Sequence, residues 1–192
     1  MRYKLILESH AEKTKAIVTR NFQIRQSAAK DNPAILSLYP RAFPEEEFRP
    51  LVTALLEPGE PVLSLIAEDE GEIVGHVCFT RCGIVGGNDP LALLGPLAVS
   101  PPRQKQGIGS ALIGEGNTRM AEDGVCRVLV LGDPAYYGRF GFAEESGIET
   151  PIPIPPEWHS AWQSLALGGE KSAIEGLLDV PSPWGEPDLW AS

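Results

Sequence analysis

Apolar and polar positions alternate through Phe22–Gln26, "FQIRQ", which predicts a short strand. The following "SAAKDNPAILSLYPRAF" sets Ile35, Leu36, Leu38 and Phe43 as the apolar positions of a helix. Ser27 is its expected N-cap, and the prolines are expected to break it. "EEEFRPLVTALLE" predicts a second helix whose acids occupy the first turn, where the helix dipole favours them. "PVLSLIAEDEGEIVGHVCFTRCGIV" reads as a hairpin, two β-rich runs flanking Asp69-Glu70-Gly71-Glu72. "PLALLGPLAV" is a further strand interrupted by Gly95-Pro96. Pro96 has no N–H to give a ladder, so a bulge or a splayed edge is expected there.

From about Gly107 to Asp123 the pattern turns helical, with Ile108, Ala111, Leu112 and Met120 on or near one face. Gly114 and Gly116 weaken such a helix, and close packing on a sheet is the expected reason for them. "CRVLVLG" is a short, wholly apolar strand of the type buried on both faces. "DPAYYGRFGF" predicts a short helix and a turn into a strand. Prolines dominate Thr150–Pro156, and "HSAWQSLAL" is a late strand. This order predicts an α/β (α+β) fold, a mixed sheet with helices packed on it. Residues 1–21 read as a polar N-terminal extension, 22–167 as the domain, and 168–192 as a Pro- and Trp-rich tail packed on it. The tryptophans Trp158, Trp162, Trp184 and Trp190 are expected to pack in the core of the late strands, with a pocket wall or an interface as the other readings.

With 192 residues, the chain can bury a substantial core as one domain. No apolar run approaches the roughly 20 residues that span a bilayer, and the N-terminus lacks a secretory apolar region, so a cytoplasmic location and no membrane partner are expected. The three cysteines, Cys78, Cys82 and Cys126, form no metal-like cluster and read as free thiols; no metal is expected. A net charge of −10 argues against nucleic acid as a partner. Against that background, residues 100–110 hold Arg103 and Lys105 and no acid.

The same stretch reads "SPPRQKQGIGS". A P-loop would need G-x-x-x-x-G-K-[ST], which is absent. A Rossmann turn would need a third glycine where Leu112 stands, and the strand ends near Val99, well before Gly107; Gly107, Gly109 and Asp133 do fit that alternative. A glycine-rich helix start with no ligand is the bland alternative. The reading that also explains the basic patch is a pyrophosphate held by N–H groups from about Gln106 to Ser110, with Gly107 and Gly109 clearing the approach and Arg103 and Lys105 screening charge.

Gln104-Lys105-Gln106-Gly107-Ile108-Gly109, preceded by "LAVSPP", resembles motif A of the GCN5-related N-acetyltransferases, [QR]-x-x-G-x-[GA]. "YYGRFGF" is similar to that family's "LYEKLGF" element, and the whole block resembles its YhbS-like branch. The resemblance covers about residues 22–167. It implies a mixed, mostly antiparallel sheet of about seven strands, with strands four and five splayed and helices on both faces. It implies acetyl-CoA as cosubstrate. Main-chain groups of Leu97, Ala98 and Val99 would bind its acyl arm, and Gln104, Lys105, Gln106, Gly107, Ile108, Gly109 and Ser110 its pyrophosphate. Tyr137 falls where the family places the tyrosine that protonates the departing sulfur. Tyr136 in that role, or packing of both rings, is the competing reading.

The implied reaction is acetyl transfer to a primary amine of a small molecule, peptide or protein, by direct attack in a ternary complex. A non-catalytic acyl-CoA sensor of the same fold is the alternative. Relatives are often dimers, which allows a homodimer. For a general base, Glu45, Glu46 and Glu47 and His76 are candidates, but a solvated helix turn and a satisfied sheet histidine are the plainer readings.

Overall fold

A computed structural model describes residues 22–168 and 173–191; the expectations for residues 1–21 lie outside the described residues. The chain runs β1 (Gln23–Gln26), α1 (Asn32–Ala42), α2 (Arg49–Leu55), β2 (Val62–Asp69), β3 (Glu72–Ile84), β4 (Leu91–Val99) and α3 (Ile108–Glu122). There follow β5 (Arg127–Leu131), α4 (Pro134–Tyr137), β6 (Ala143–Glu144), β7 (Ile148–Glu149), β8 (Trp162–Ala166), β9 (Gly176–Asp179) and α5 (Asp188–Ala191). Seven strands form one path in the order β1-β2-β3-β4-β5-β8-β6, and only the β4–β5 pair in it is parallel. The tail supplies what its composition did not announce: β9 pairs with the end of β3 and with β7.

Alternation on β3 divides the core. Val77 and Phe79 face α3 with Leu112, Ile113 and Met120, while Cys78 faces the opposite side with α2 and the late tryptophans. Gly75 lets α3 close on the sheet, since a Cβ there would stand 2.7 Å from Ile108. Gly116 does the same for the Phe79 ring, whereas Gly114 faces open space. On β4 the alternation slips. Phe79 pairs with Leu94 but Val77 pairs with Leu97, so three residues of β4 match two of β3. The extra residue lies at Gly95-Pro96, which is a cis peptide. Leu94 and Leu97 therefore share a face although they are three apart.

Two helix starts differ from the sequence reading. Ser27 is not an N-cap; its hydroxyl donates to Ser64 Oγ at 2.6 Å. Asp31 caps the turn before α1 instead, accepting the Ala28 N–H at 2.8 Å, and α1 then runs through Pro40 to Ala42. Glu45, Glu46 and Glu47 stay in the loop before α2, because Pro50 fits the first turn, where a missing N–H costs nothing.

The Ser27–Ser64 contact opens a buried chain. Ser64 Oγ lies 2.9 Å from His76 Nε2, His76 Nδ1 lies 2.6 Å from the Tyr39 hydroxyl, and that hydroxyl donates to Pro96 O at 3.3 Å. One assignment satisfies every hydrogen. Ser64 donates to Nε2, Nδ1–H donates to Tyr39, and Tyr39 donates to Pro96. His76 is a satisfied core residue, as its strand position suggested, and burial lowers its pKa from 6.5 to about 3.

The lowered value has a definite sign. Below pH 6.5 the unfolded chain takes a proton that folded His76 refuses, so this group's penalty grows by about 1.4 kcal/mol per pH unit as pH falls towards 3. Urea unfolding of wild type and His76→Gln at pH 7 and pH 5 checks this. The stability advantage of wild type over the variant should shrink by about 2 kcal/mol at pH 5; a pH-independent difference would show that His76 charges while folded.

Candidate active site

The β4–β5 ladder lasts three pairs, from Leu91–Arg127 to Leu93–Leu129. Beyond it no strand among the described residues covers that edge of β4. The phase of the β3–β4 ladder shows what the open edge offers. Ser100 N–H donates to Val74 O at 2.9 Å, which makes 76/98 a hydrogen-bonded pair and 77/97 and 75/99 non-bonded ones. The N–H and C=O of Leu97 and Val99 therefore point away from β3, into the opening. Gln104 Nε2 already reaches Val99 O from there, at 3.2 Å. Tyr39, holding Pro96 O from the other side, fixes the peptide plane that aims Leu97 N–H into the opening.

A cavity of about 790 Å³ lies along this edge and the start of α3. Of the residues expected to hold the donor, Leu97, Val99, Gln104, Lys105, Gly107, Ile108, Gly109 and Ser110 line it, as does Tyr137. Ala98 and Gln106 do not. Ala98 turns its main chain to His76 and its methyl into the core beside Ile35 and Tyr39, which is the alternation of the pleat. Gln106 donates its side-chain amide to Pro102 O at 3.1 Å.

Gly107, at φ 84°, is the N-cap of α3, and nothing stands within 4 Å of where its Cβ would be. The first N–H groups of α3 lack intrahelical acceptors and open onto the cavity. Gly109 lines the cavity and also makes room for a neighbour, since a Cβ there would overlap the Tyr136 hydroxyl.

The cavity's charges are mostly positive. Lys105 and Arg139 line it, the Arg139 guanidinium 4.6 Å above the Tyr136 ring. Arg103 lines it too, but pairs with Asp69, and its buried Nε has no protein partner. Arg103 is thus less a free screening charge than the sequence implied. Arg139 was legible only as a residue inside "YYGRFGF". Asp133 lines it as well and caps α4, accepting the Ala135 N–H at 2.8 Å.

A second cavity, of about 590 Å³, lies on the other side of the splay, between β4, the end of β5 and the loop 43–48. The two cavities share Phe43, Leu97 and Tyr137. Burial raises the Tyr137 pKa well above 10, so its phenol is protonated at neutral pH. Gly132 seats that ring, since a Cβ there would stand 2.9 Å from Cδ2. Trp158, Trp184 and Trp190 line the second cavity, while Trp162, Trp184 and Trp190 belong to the core beneath it. The late tryptophans thus serve as packing and as wall.

Burial pushes the thiols of Cys78 and of half-buried Cys82 up to about 12. Among the described residues no cluster of His, Cys, Asp or Glu could hold a metal ion. No helix among them is long and apolar enough to cross a membrane.

The Gly109–Tyr136 packing gives a double-mutant test. Gly109→Ala should cost about 1–3 kcal/mol in urea unfolding against Tyr136 and markedly less against Tyr136→Phe, where the overlapping oxygen is gone. Equal costs in both backgrounds would refute the packing role.

Comparison with known proteins agrees with this geometry. The sequence model of the Acetyltransferase (GNAT) family matches residues 32–142. The uncharacterized N-acetyltransferase YjhQ of Escherichia coli (strain K12) is 35% identical over 174 residues, 87% of this chain and 96% of YjhQ. The crystal structure of the GNAT family N-acetyltransferase YhbS from Escherichia coli, in complex with CoA, superposes with a TM-score of 0.76 at 30% identity, covering 86% of this chain and 93% of YhbS. A GNAT family acetyltransferase from Brucella melitensis, in complex with acetyl-CoA, gives a TM-score of 0.69 at 29% identity, covering 85% of this chain and 97% of that one. A splayed β4–β5 pair, a glycine-capped α3 and a tyrosine between two cavities thus stand in a chain that belongs to the GNAT acetyltransferase family of acyltransferases.

Proposed function

We propose that this chain transfers an acetyl group from acetyl-CoA to a primary amine by direct attack, with both substrates bound. The observation that carries this reading is the meeting of two cavities at Tyr137 and Leu97. The larger cavity takes the donor. Its pyrophosphate lies on the free N–H groups from Gly107 to Ser110, with Lys105 and Arg139 adding positive charge. The pantetheine arm follows the open edge at Val99 and Leu97, as an added strand would. The amine enters from the smaller cavity. The catalytic domain is residues 22–167, with the tail closing the acceptor side.

Leu97 N–H donates to the thioester oxygen, which gains negative charge as the amine nitrogen attacks the carbonyl carbon. The C–S bond breaks, the nitrogen gives up one proton to water, and the sulfur takes one from Tyr137. Tyr137 regains its proton from solvent, and the products are an amide and CoA thiol. His76 cannot be the base, because it is wholly buried and its pKa of about 3 leaves it a poor proton acceptor at pH 7.

Calorimetry with acetyl-CoA tests the donor assignment: saturable micromolar binding is expected, and none at high micromolar concentration would defeat it. Tyr137→Phe tests the acid. Its kcat at neutral pH should fall by about 10- to 100-fold with the acetyl-CoA KM little changed. An unchanged kcat would remove the role from Tyr137.

A further inference from the structure

The smaller cavity carries information about the acceptor that no relative's name supplies. Its walls are aromatic: Phe48, Trp158, Trp184 and Trp190, besides Phe43 and Tyr137 at the junction. Its carboxyl side chains come from two segments. Glu45, Glu46 and Glu47 come from the loop before α2, and Asp188 from α5. Among the described residues that line it there is no Lys, Arg or His. Arg49, outside the lining, pairs with Glu47 and holds that carboxyl down to about 2. Carboxylates alone would be a solvated rim. Here they flank a partly open, largely apolar cleft of about 590 Å³, in the size range of small-molecule sites, which meets the larger cavity at Leu97 and Tyr137.

We infer that the acceptor is a small primary amine on an aromatic or apolar body, without a carboxylate of its own. This rests on the donor reading of the larger cavity. Each part of the cavity selects one property. The aromatic walls desolvate the body and can place a ring against a cation on the way in. The acidic rim concentrates amines, which are cations before they lose a proton to react. Carboxylates at the rim, with no basic residue among the described lining, select against α-amino acids, whose own carboxylate would meet like charge. Amino sugars would leave their hydroxyls unpaired on apolar walls.

The test uses the full chain with saturating acetyl-CoA and thiol release as readout. The acceptors are tryptamine and phenethylamine, the parent amino acids tryptophan and phenylalanine, glucosamine, and a short peptide with an N-terminal alanine. The two arylalkylamines should exceed each of the others in kcat/KM by about 100-fold or more, the scale of an unpaired like charge or a stripped polar group. Trp158→Ala and the double change Glu45→Gln, Glu46→Gln should each raise the tryptamine KM about tenfold while leaving the acetyl-CoA KM unchanged. Quenching of the protein's tryptophan fluorescence by phenethylamine, which carries no indole of its own, in the presence of CoA gives a binding readout independent of turnover. Preference for an amino acid, the sugar or the peptide would overturn the inference. So would acetyl-CoA binding with no turnover of either arylalkylamine. Failure of acetyl-CoA itself to bind would instead strike the donor assignment.

Discussion

The parallel ladder between β4 and β5 holds for three pairs and then stops, and the site follows from that. Gly95-Pro96 adds one residue to β4 and removes one ladder donor, so the strand continues along β3 while parting from β5. The parting creates an unpaired backbone edge inside the protein, a feature that proteins ordinarily cover. Here the edge lies between two cavities, and Leu97 and Val99 present their polar groups to it because the bulge resets which residues face β3. The same reset puts Leu97 on the α3 side, beside the helix start that completes the larger cavity. A single irregularity thus sets the direction of the N–H groups and the volume in front of them.

Rigid support for that irregularity comes from the face opposite α3. The chain from Ser64 through His76 and Tyr39 ends on Pro96 O, so the peptide carrying Leu97 N–H is held from behind by a fully satisfied buried network. Charge separates the two cavities as clearly as backbone does. In a chain of net charge −10, the larger cavity gathers Lys105 and Arg139, while the smaller gathers Glu45, Glu46, Glu47 and Asp188. The two mouths of one opening thereby carry opposite charge.

Much of this was legible locally. Period-two and helical spacing marked β1 to β5 and α3, because those patterns reflect burial on one face. Gly95-Pro96 marked the bulge, since proline's missing N–H is a covalent fact. "QKQGIG" and "YYGRFGF" marked the family and about half of the larger cavity's lining. Where the sequence misled, a distant partner had intervened. Ser27 looked like a cap but meets Ser64 across the sheet. Gly109 also accommodates Tyr136, which the local spacing did not show. Arg103 looked free but pairs with Asp69. Ala98 seemed to belong with Leu97 and Val99, but the pleat turns it the other way.

The sequence by itself determined the elements, the bulge and the glycine-capped helix start, because each depends on side-chain periodicity or on backbone freedom within a few residues. Only the tertiary structure decided which N–H groups face the opening, that β9 from the tail joins β3, and that tryptophans near residues 158–190 share a cavity with glutamates near residue 46. Those outcomes depend on ladder phase and on contacts between residues far apart in the chain, and no local pattern encodes either.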